Sequence, residues 1–197
     1  MDSTDNAIGF DGVKYSSNRA SIWRWREAYQ EDFAARMQWS LTPSYCEAGH
    51  PPVVNINGQQ GSDPVVLKMV ESNQTFVLDA SATIDTDNPG DNSQLEFQWF
   101  VYTEPTAFPG LVKMETLAAP RGTSGLLTIN EAGFGNVTLG NKVRVTAPEA
   151  VTNVQTGQLM PDFHVLLQVT NRAGPHPVTR YKRTVFEYSR GSGHEFR

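Results

Sequence analysis

The segment Leu95-Glu96-Phe97-Gln98-Trp99-Phe100-Val101-Tyr102 alternates strictly: Leu95, Phe97, Trp99 and Val101 fall on one side of an extended chain, and Glu96, Gln98, Phe100 and Tyr102 on the other. Period two with aromatic and β-branched residues specifies a strand. A tryptophan in mid-strand on the apolar side marks the core of a sandwich. This strand constrains what precedes it. The aspartate-rich run Leu78-Asp79-Ala80-Ser81-Ala82-Thr83-Ile84-Asp85-Thr86-Asp87-Asn88-Pro89-Gly90-Asp91-Asn92 must be a loop between two strands rather than the lead into a helix.

From Val53 onward the same texture continues. Candidate strands are Val53–Ile56, Val65–Val70, Thr75–Asp79, Leu95–Tyr102, Leu126–Ile129, Val143–Thr146, Phe163–Asn171 and Thr179–Tyr188. Turn residues separate them, among them Asn57-Gly58, Asn88-Pro89-Gly90, Gly140-Asn141 and Gly174-Pro175. The last two strands read as a hairpin through residues 172–177. Many short strands with regular punctuation predict a mainly β fold, an antiparallel β-sandwich of immunoglobulin-like type. With 197 residues, 39% of them hydrophobic and 10% aromatic, the chain has material for one core.

One amphipathic α-helix precedes the sandwich, over residues 21–39, with no Gly or Pro. Ile22, Trp25, Tyr29, Phe33 and Met37 recur at three- and four-residue spacing and form one apolar stripe. Trp23 and Trp39 lie off it, on different flanks. One packed face would bury the stripe but not both flanking tryptophans, so Trp23, Trp25, Tyr29, Phe33 and Trp39 together imply a second partner surface. The domain reading is therefore a polar, disordered segment over 1–20, an interdomain helix and connector over 21–50, the sandwich over 51–189 and a flexible tail over 190–197.

The chemistry-bearing residues are few. As a string, Ile84-Asp85-Thr86-Asp87-Asn88-Pro89-Gly90-Asp91 resembles the calcium-binding aspartate motif of nucleoside hydrolases. That motif needs a second acid after the Pro-Gly-Asp, and Asn92 stands there instead. Asp85, Asp87 and Asp91 remain candidate calcium ligands, since calcium gathers six to eight oxygens; the same residue types are also ordinary turn formers. Phe100 and Tyr102 point away from the core side of their strand, and with the loop residue Phe108 they are candidates for stacking on sugar rings. Cover by the helix is the competing reading for that pair. The four histidines are scattered without zinc spacing, Cys46 stands alone, and no Gly-x-Ser-x-Gly elbow occurs. Arg172, Arg180, Lys182 and Arg183 cluster near the closing hairpin and read as a solvated face or an interdomain contact. A net charge of −5 does not favour nucleic acid or an anionic membrane surface. No run approaches the ~18 apolar residues of a membrane helix, and the polar start Met1-Asp2-Ser3-Thr4-Asp5-Asn6 is unlike a signal peptide.

Together, Trp23-Arg24-Trp25-Arg26-Glu27-Ala28-Tyr29 through Trp39, His50-Pro51-Pro52-Val53-Val54, the Leu78 to Trp99 block and the Val165 to Val185 hairpin resemble the cellulose-binding, nucleoside-hydrolase-like proteins of bacteria and fungi. The resemblance spans roughly residues 20–188 and matches that family's interdomain segment and C-terminal immunoglobulin-like domain. It implies a secreted, extracellular protein whose catalytic aspartates, if any, lie in an upstream hydrolase-like domain. For this chain it implies no enzyme activity and no catalytic residue, and a cellulose-type carbohydrate-binding or accessory role. The alternative is a structural module that buttresses the hydrolase-like domain with no ligand of its own. The implied partners are a polysaccharide and that upstream domain.

Overall fold

The structure is a computed structural model that describes residues 5–8, 13–102, 112–118, 137–150 and 162–189. Its elements in chain order are β1 (Asp5–Ile8), β2 (Lys14–Ser17), α1 (Ala20–Trp23), α2 (Arg26–Leu41), a 3₁₀ turn at Tyr45–Glu47, β3 (Asn55–Ile56), β4 (Gln59–Gln60), β5 (Val65–Val70), β6 (Thr75–Asp79), β7 (Leu95–Val101), β8 (Lys113–Thr116), β9 (Thr138–Leu139), β10 (Lys142–Thr146), β11 (Phe163–Asn171) and β12 (Val178–Tyr188). Five strands form one sheet in the order β5-β12-β11-β7-β9, and three form a second in the order β6-β10-β8.

The alternation read from the sequence explains the core. Leu95, Phe97 and Trp99 of β7, Phe163, Val165, Leu167 and Val169 of β11, and Phe186 and Tyr188 of β12 meet Leu78 of β6 and Val143 and Val145 of β10 between the sheets. The fold is thus mainly β and sandwich-like, as expected. Trp99 is fully buried and its indole Nε1 donates to the Gly140 carbonyl at 2.7 Å. Gly140 holds φ at +116°, and a Cβ there would collide with the Ala118 carbonyl. Only glycine fits where the chain turns from β9 into β10.

Some features differ from the expectation. β5 pairs with β12 in parallel, with a bulge between Phe186 and Tyr188, so the larger sheet is mixed. Strands β4, β8 and β9 went unread because they are two to four residues long and show little alternation. The segment read as polar and disordered contains the β1–β2 hairpin. The candidate strand Leu126–Ile129 lies outside the described residues. The helix is interrupted: Trp25 N–H donates back only three residues, to the Ile22 carbonyl at 3.2 Å, before α2 begins. That tight turn aims Trp25 at the outer face of the five-stranded sheet.

At the edge of the smaller sheet Lys142 pairs with Asp79 across β10 and β6, Nζ to Oδ2 at 2.8 Å, while Ser81 donates its N–H and hydroxyl to Oδ1. Burial alone would raise the Asp79 carboxyl, but those hydrogen bonds and the Lys142 charge hold it at about 2, against an ordinary 3.8. A depressed carboxyl contributes stability that is complete above 3.8 and lost as pH falls toward about 2. Allowing for solvent screening at this part-exposed pair, about 1 kcal/mol is at stake. Asp79→Asn is expected to flatten the unfolding free energy measured between those two pH values. An unchanged pH profile would remove Asp79 from the account.

Candidate functional site

Three constructions follow from this frame. The first is the aspartate loop. An isolated bridge between Val53 and Ile84 brings the loop against the connector. Asp85 is fully buried; its Oδ1 accepts from the Asp87 N–H at 3.0 Å and from Asn171 Nδ2 at 3.0 Å. Asp87 Oδ2 accepts from the His50 N–H at 2.8 Å and from Asn171 Nδ2 at 2.9 Å, and its Oδ1 lies 2.7 Å from His50 Nδ1. Asn171 Nδ2 also reaches the His50 carbonyl. The end of β11, the loop and the connector are thereby clasped at one point.

Of the three residues offered for calcium, the fold brings Asp85 and Asp87 together and leaves Asp91 apart. Asp91 accepts from the Ser93 N–H at 2.9 Å, closing its own turn on the surface. The amide group of Asn171 occupies the point on which the two inner carboxylates converge. Among the described residues no group of three or more His, Cys, Asp or Glu is placed to hold a metal ion.

The second construction is the helix hook. The His50 ring stacks on Tyr45 at 3.7 Å and on Trp39 at 5.2 Å, each within 9° of parallel. The Trp39 indole donates to the Gly49 carbonyl at 2.9 Å. Gly49 and Gly174 touch so closely that a Cβ on Gly174 would stand 2.7 Å from the Gly49 nitrogen. Glu31 meets His176, and Asp32 meets Arg180 at 2.8 Å and Arg36 at 2.7 Å. Burial opposes ionisation of Asp32, but both guanidiniums hold its carboxyl below the ordinary value.

The face that α2 turns to the sandwich is small and largely polar, with Asp32 on Arg180 and Glu31 on the His176 ring. Of the apolar stripe, Ile22, Tyr29, Phe33 and Met37 are exposed while Trp25 turns in onto the sheet; Trp23 and Leu41, outside the stripe, are exposed too, Phe33 at 62% and Leu41 at 83%. Of the five residues expected at an interdomain contact, Trp25 packs on the outer face of the five-stranded sheet, Trp39 packs on His50 and Gly49 of the connector, and Trp23, Tyr29 and Phe33 are exposed. The periodicity assumed one unbroken helix; the break at Trp25 separates that residue from Ile22, Tyr29, Phe33 and Met37, and periodicity could not say which way either part faces.

The third is a cleft on the outer face of the five-stranded sheet. Trp25 stands edge-on to Tyr181 at 4.8 Å and to Tyr102 at 6.1 Å. Beneath lies a small apolar layer of Phe100, Val137 and Leu166. Phe100, offered as a stacking residue with cover by the helix segment as the other reading, is fully buried: Trp25 and its neighbours cover the sheet there, so it is not available to a sugar ring. Tyr102 is half-buried and borders the cleft. Phe108 lies outside the described residues. The cleft, about 380 Å³, is lined by Trp25, Tyr102, Leu166, Tyr181 and Arg183 together with Ser62 and Pro64 of the loop before β5. That loop is pinned by Lys182, which is buried and donates Nζ to the Gly61 and Asp63 carbonyls at 2.8 and 2.9 Å. Burial, with Glu27 nearby, pushes the Tyr181 hydroxyl pKa well up, so it stays protonated.

The basic cluster read near the hairpin thus divides by strand parity and reach. Arg172 pairs with Glu96, Arg180 with Asp32, Lys182 with the loop carbonyls, and Arg183 lines the cleft. Sequence reasoning missed Tyr181 and Arg183 as site residues. Their alternation with the buried Lys182 was visible, but not the loop that lines the cleft with them.

A family model described as Cellulose-binding protein Sde0182, C-terminal domain, matches residues 75–188, more than half of the chain. A solved structure from Saccharophagus degradans, described as a nucleoside hydrolase-related hypothetical protein that is associated with carbohydrate metabolism, is similar at a TM-score of 0.63 and 22% identity. That match covers 95% of this chain and 40% of the other, and at that identity the likeness speaks for the fold alone. No curated protein matches.

Proposed function

The chain belongs to the family described as Cellulose-binding protein Sde0182, C-terminal domain, and from that premise we propose that it is a non-catalytic, cellulose-type carbohydrate-binding accessory domain of a secreted, hydrolase-like two-domain protein. The observation that carries the reading is the family match over the sandwich itself, residues 75–188. The inner aspartates support binding rather than catalysis. Asp85 and Asp87 are engaged by Asn171 and His50, away from the aromatic cleft, so they do not form a pair of carboxylates converging on a pocket. The expected result is retention of the chain on insoluble cellulose above that on an inert matrix. Retention should be the same with calcium or with chelator, because Asp91 is not grouped with Asp85 and Asp87. No retention on cellulose, chitin or xylan would overturn the reading.

A second reading, the buttress, is favoured by the outward stripe of α1 and α2. Tyr29, Phe33, Met37 and Leu41, exposed at four-residue spacing along α2, with Ile22 and Trp23 exposed on α1, are what a domain contact uses. A hydrolase-like domain is the partner this reading assigns to the stripe. In isolation the exposed stripe is expected to drive concentration-dependent self-association, measurable by light scattering, and Phe33→Glu with Met37→Glu is expected to reduce it. A monodisperse monomer at high concentration would count against the stripe as a contact surface.

A further inference from the structure

Resting on the carbohydrate-binding reading, we propose that the cleft between Trp25 and the 61–64 loop is the sugar site, taking a pyranose unit of a β-glucan chain against Tyr102 and Tyr181 with Arg183 bonding its hydroxyls. The size fits: about 380 Å³ lies within the ~300–1,000 Å³ of small-molecule sites. The chemistry fits as well. A pyranose has an apolar C–H face and a rim of hydroxyls, so it suits aromatic rings that carry polar groups. Trp25 is inclined at 71° to Tyr102 and 72° to Tyr181, so the rings present surfaces close to right angles rather than one flat wall. That shape accepts one sugar ring or a chain end more readily than a crystalline sheet. The protonated Tyr181 hydroxyl both donates and accepts.

Arg183 supplies what a neutral ligand needs. Among the described residues its guanidinium makes no hydrogen bond or ion pair, unlike Arg172 and Arg180 on the same hairpin, which are held by Glu96 and Asp32. Its planar donors match vicinal hydroxyls without first breaking a hydrogen bond to the described residues. The lining is prepared in advance. Trp25 is seated on the apolar layer of Phe100, Val137 and Leu166, and the 61–64 loop is tied down by two hydrogen bonds from Lys182. Holding a site rigid before the ligand arrives lowers the entropy cost of binding.

The test is a titration of the full chain with cellohexaose, followed by tryptophan fluorescence and by backbone and indole ¹H–¹⁵N shifts. Saturable shifts centred on Trp25, Tyr102, Tyr181 and Arg183 are expected. Tyr102→Ala and Arg183→Gln are each expected to weaken binding about tenfold or more. Because Tyr102→Ala could loosen the layer beneath it, the part-exposed Arg183→Gln, checked for an unchanged melting temperature, carries the decision. If Arg183→Gln binds as the wild type does, or the shifts centre elsewhere, the cleft is overturned while carbohydrate binding stands. If the wild-type chain binds neither cellohexaose nor insoluble cellulose, the carbohydrate reading fails and this inference with it.

Discussion

Trp99→Ala is expected to destabilise the chain by about 3–5 kcal/mol, the usual cost of emptying a buried tryptophan site. Trp99 is fully buried among Phe97, Leu167 and the facing strands, so its loss leaves a cavity in the middle of the sandwich. It would also leave the Gly140 carbonyl without its 2.7 Å donor. That carbonyl sits where the chain passes from β9, on the larger sheet, to β10, on the smaller, so the bond ties the two layers. Domains of this size are stable by only ~5–15 kcal/mol, and a drop of ~6–20 °C in melting temperature should follow. Trp99→Phe keeps most of the volume and loses the hydrogen bond, so about 1–2 kcal/mol is expected. The check is urea unfolding followed by far-ultraviolet circular dichroism. A loss under ~1 kcal/mol for the alanine variant would show that the core collapses around the site, and would refute the central role of Trp99.

Asn171→Leu comes next in size, at about 3 kcal/mol, although it preserves volume. The penalty is electrostatic. Asn171 is 2% exposed and donates to Asp85, Asp87 and the His50 carbonyl. Leucine in its place would leave two carboxylates crowded together without their shared donor, and removing one partner of a buried polar group costs its full desolvation penalty. Asp85 is the more vulnerable to this effect, since its buried Oδ2 has no hydrogen bond among the described residues. Loss of the clasp should also free the connector, so the Trp39–His50 stack would loosen and tryptophan emission would shift red before global unfolding. Asp91→Ala is the control. Its carboxylate only closes a surface turn, and a change within ~0.5 kcal/mol is expected. Equal losses for Asn171→Leu and Asp91→Ala would contradict the division of the loop into an inner clasp and an outer turn.

Much of the sandwich was legible because strand alternation is a local, covalent property. Val65–Val70, Thr75–Asp79 and Phe163–Asn171 have the bounds that β-rich texture and turn punctuation assign them. Trp99 was readable as core for the same reason. The aspartate loop was readable as a loop from the strand that follows it. Its internal arrangement was not, since Asn171 lies 86 residues from Asp85 and nothing near either residue announces the other. The cleft escaped for a similar reason. Lys182 is a charged residue, which its chemistry assigns to solvent although it shares the core side of β12 with Phe186 and Tyr188. It is buried because the 61–64 loop brings two carbonyls to its ammonium group.

The sequence by itself determined which side chains share a face, because successive residues of a strand point opposite ways and those three or four apart on a helix point together. It thereby set the β class, the core side of β7 and the apolar stripe of α2. Only the tertiary structure decided what each face meets. Phe100 lies on the non-core side of its strand, as alternation requires, yet it is buried because Trp25 arrives from 75 residues earlier in the chain. Tyr29, Phe33 and Met37 of α2 share a face, as periodicity requires, yet that face is exposed, and it is Glu31 and Asp32 that meet His176 and Arg180 of the sandwich. Burial is a property of pairs of surfaces, and the second surface in each case comes from a distant part of the chain.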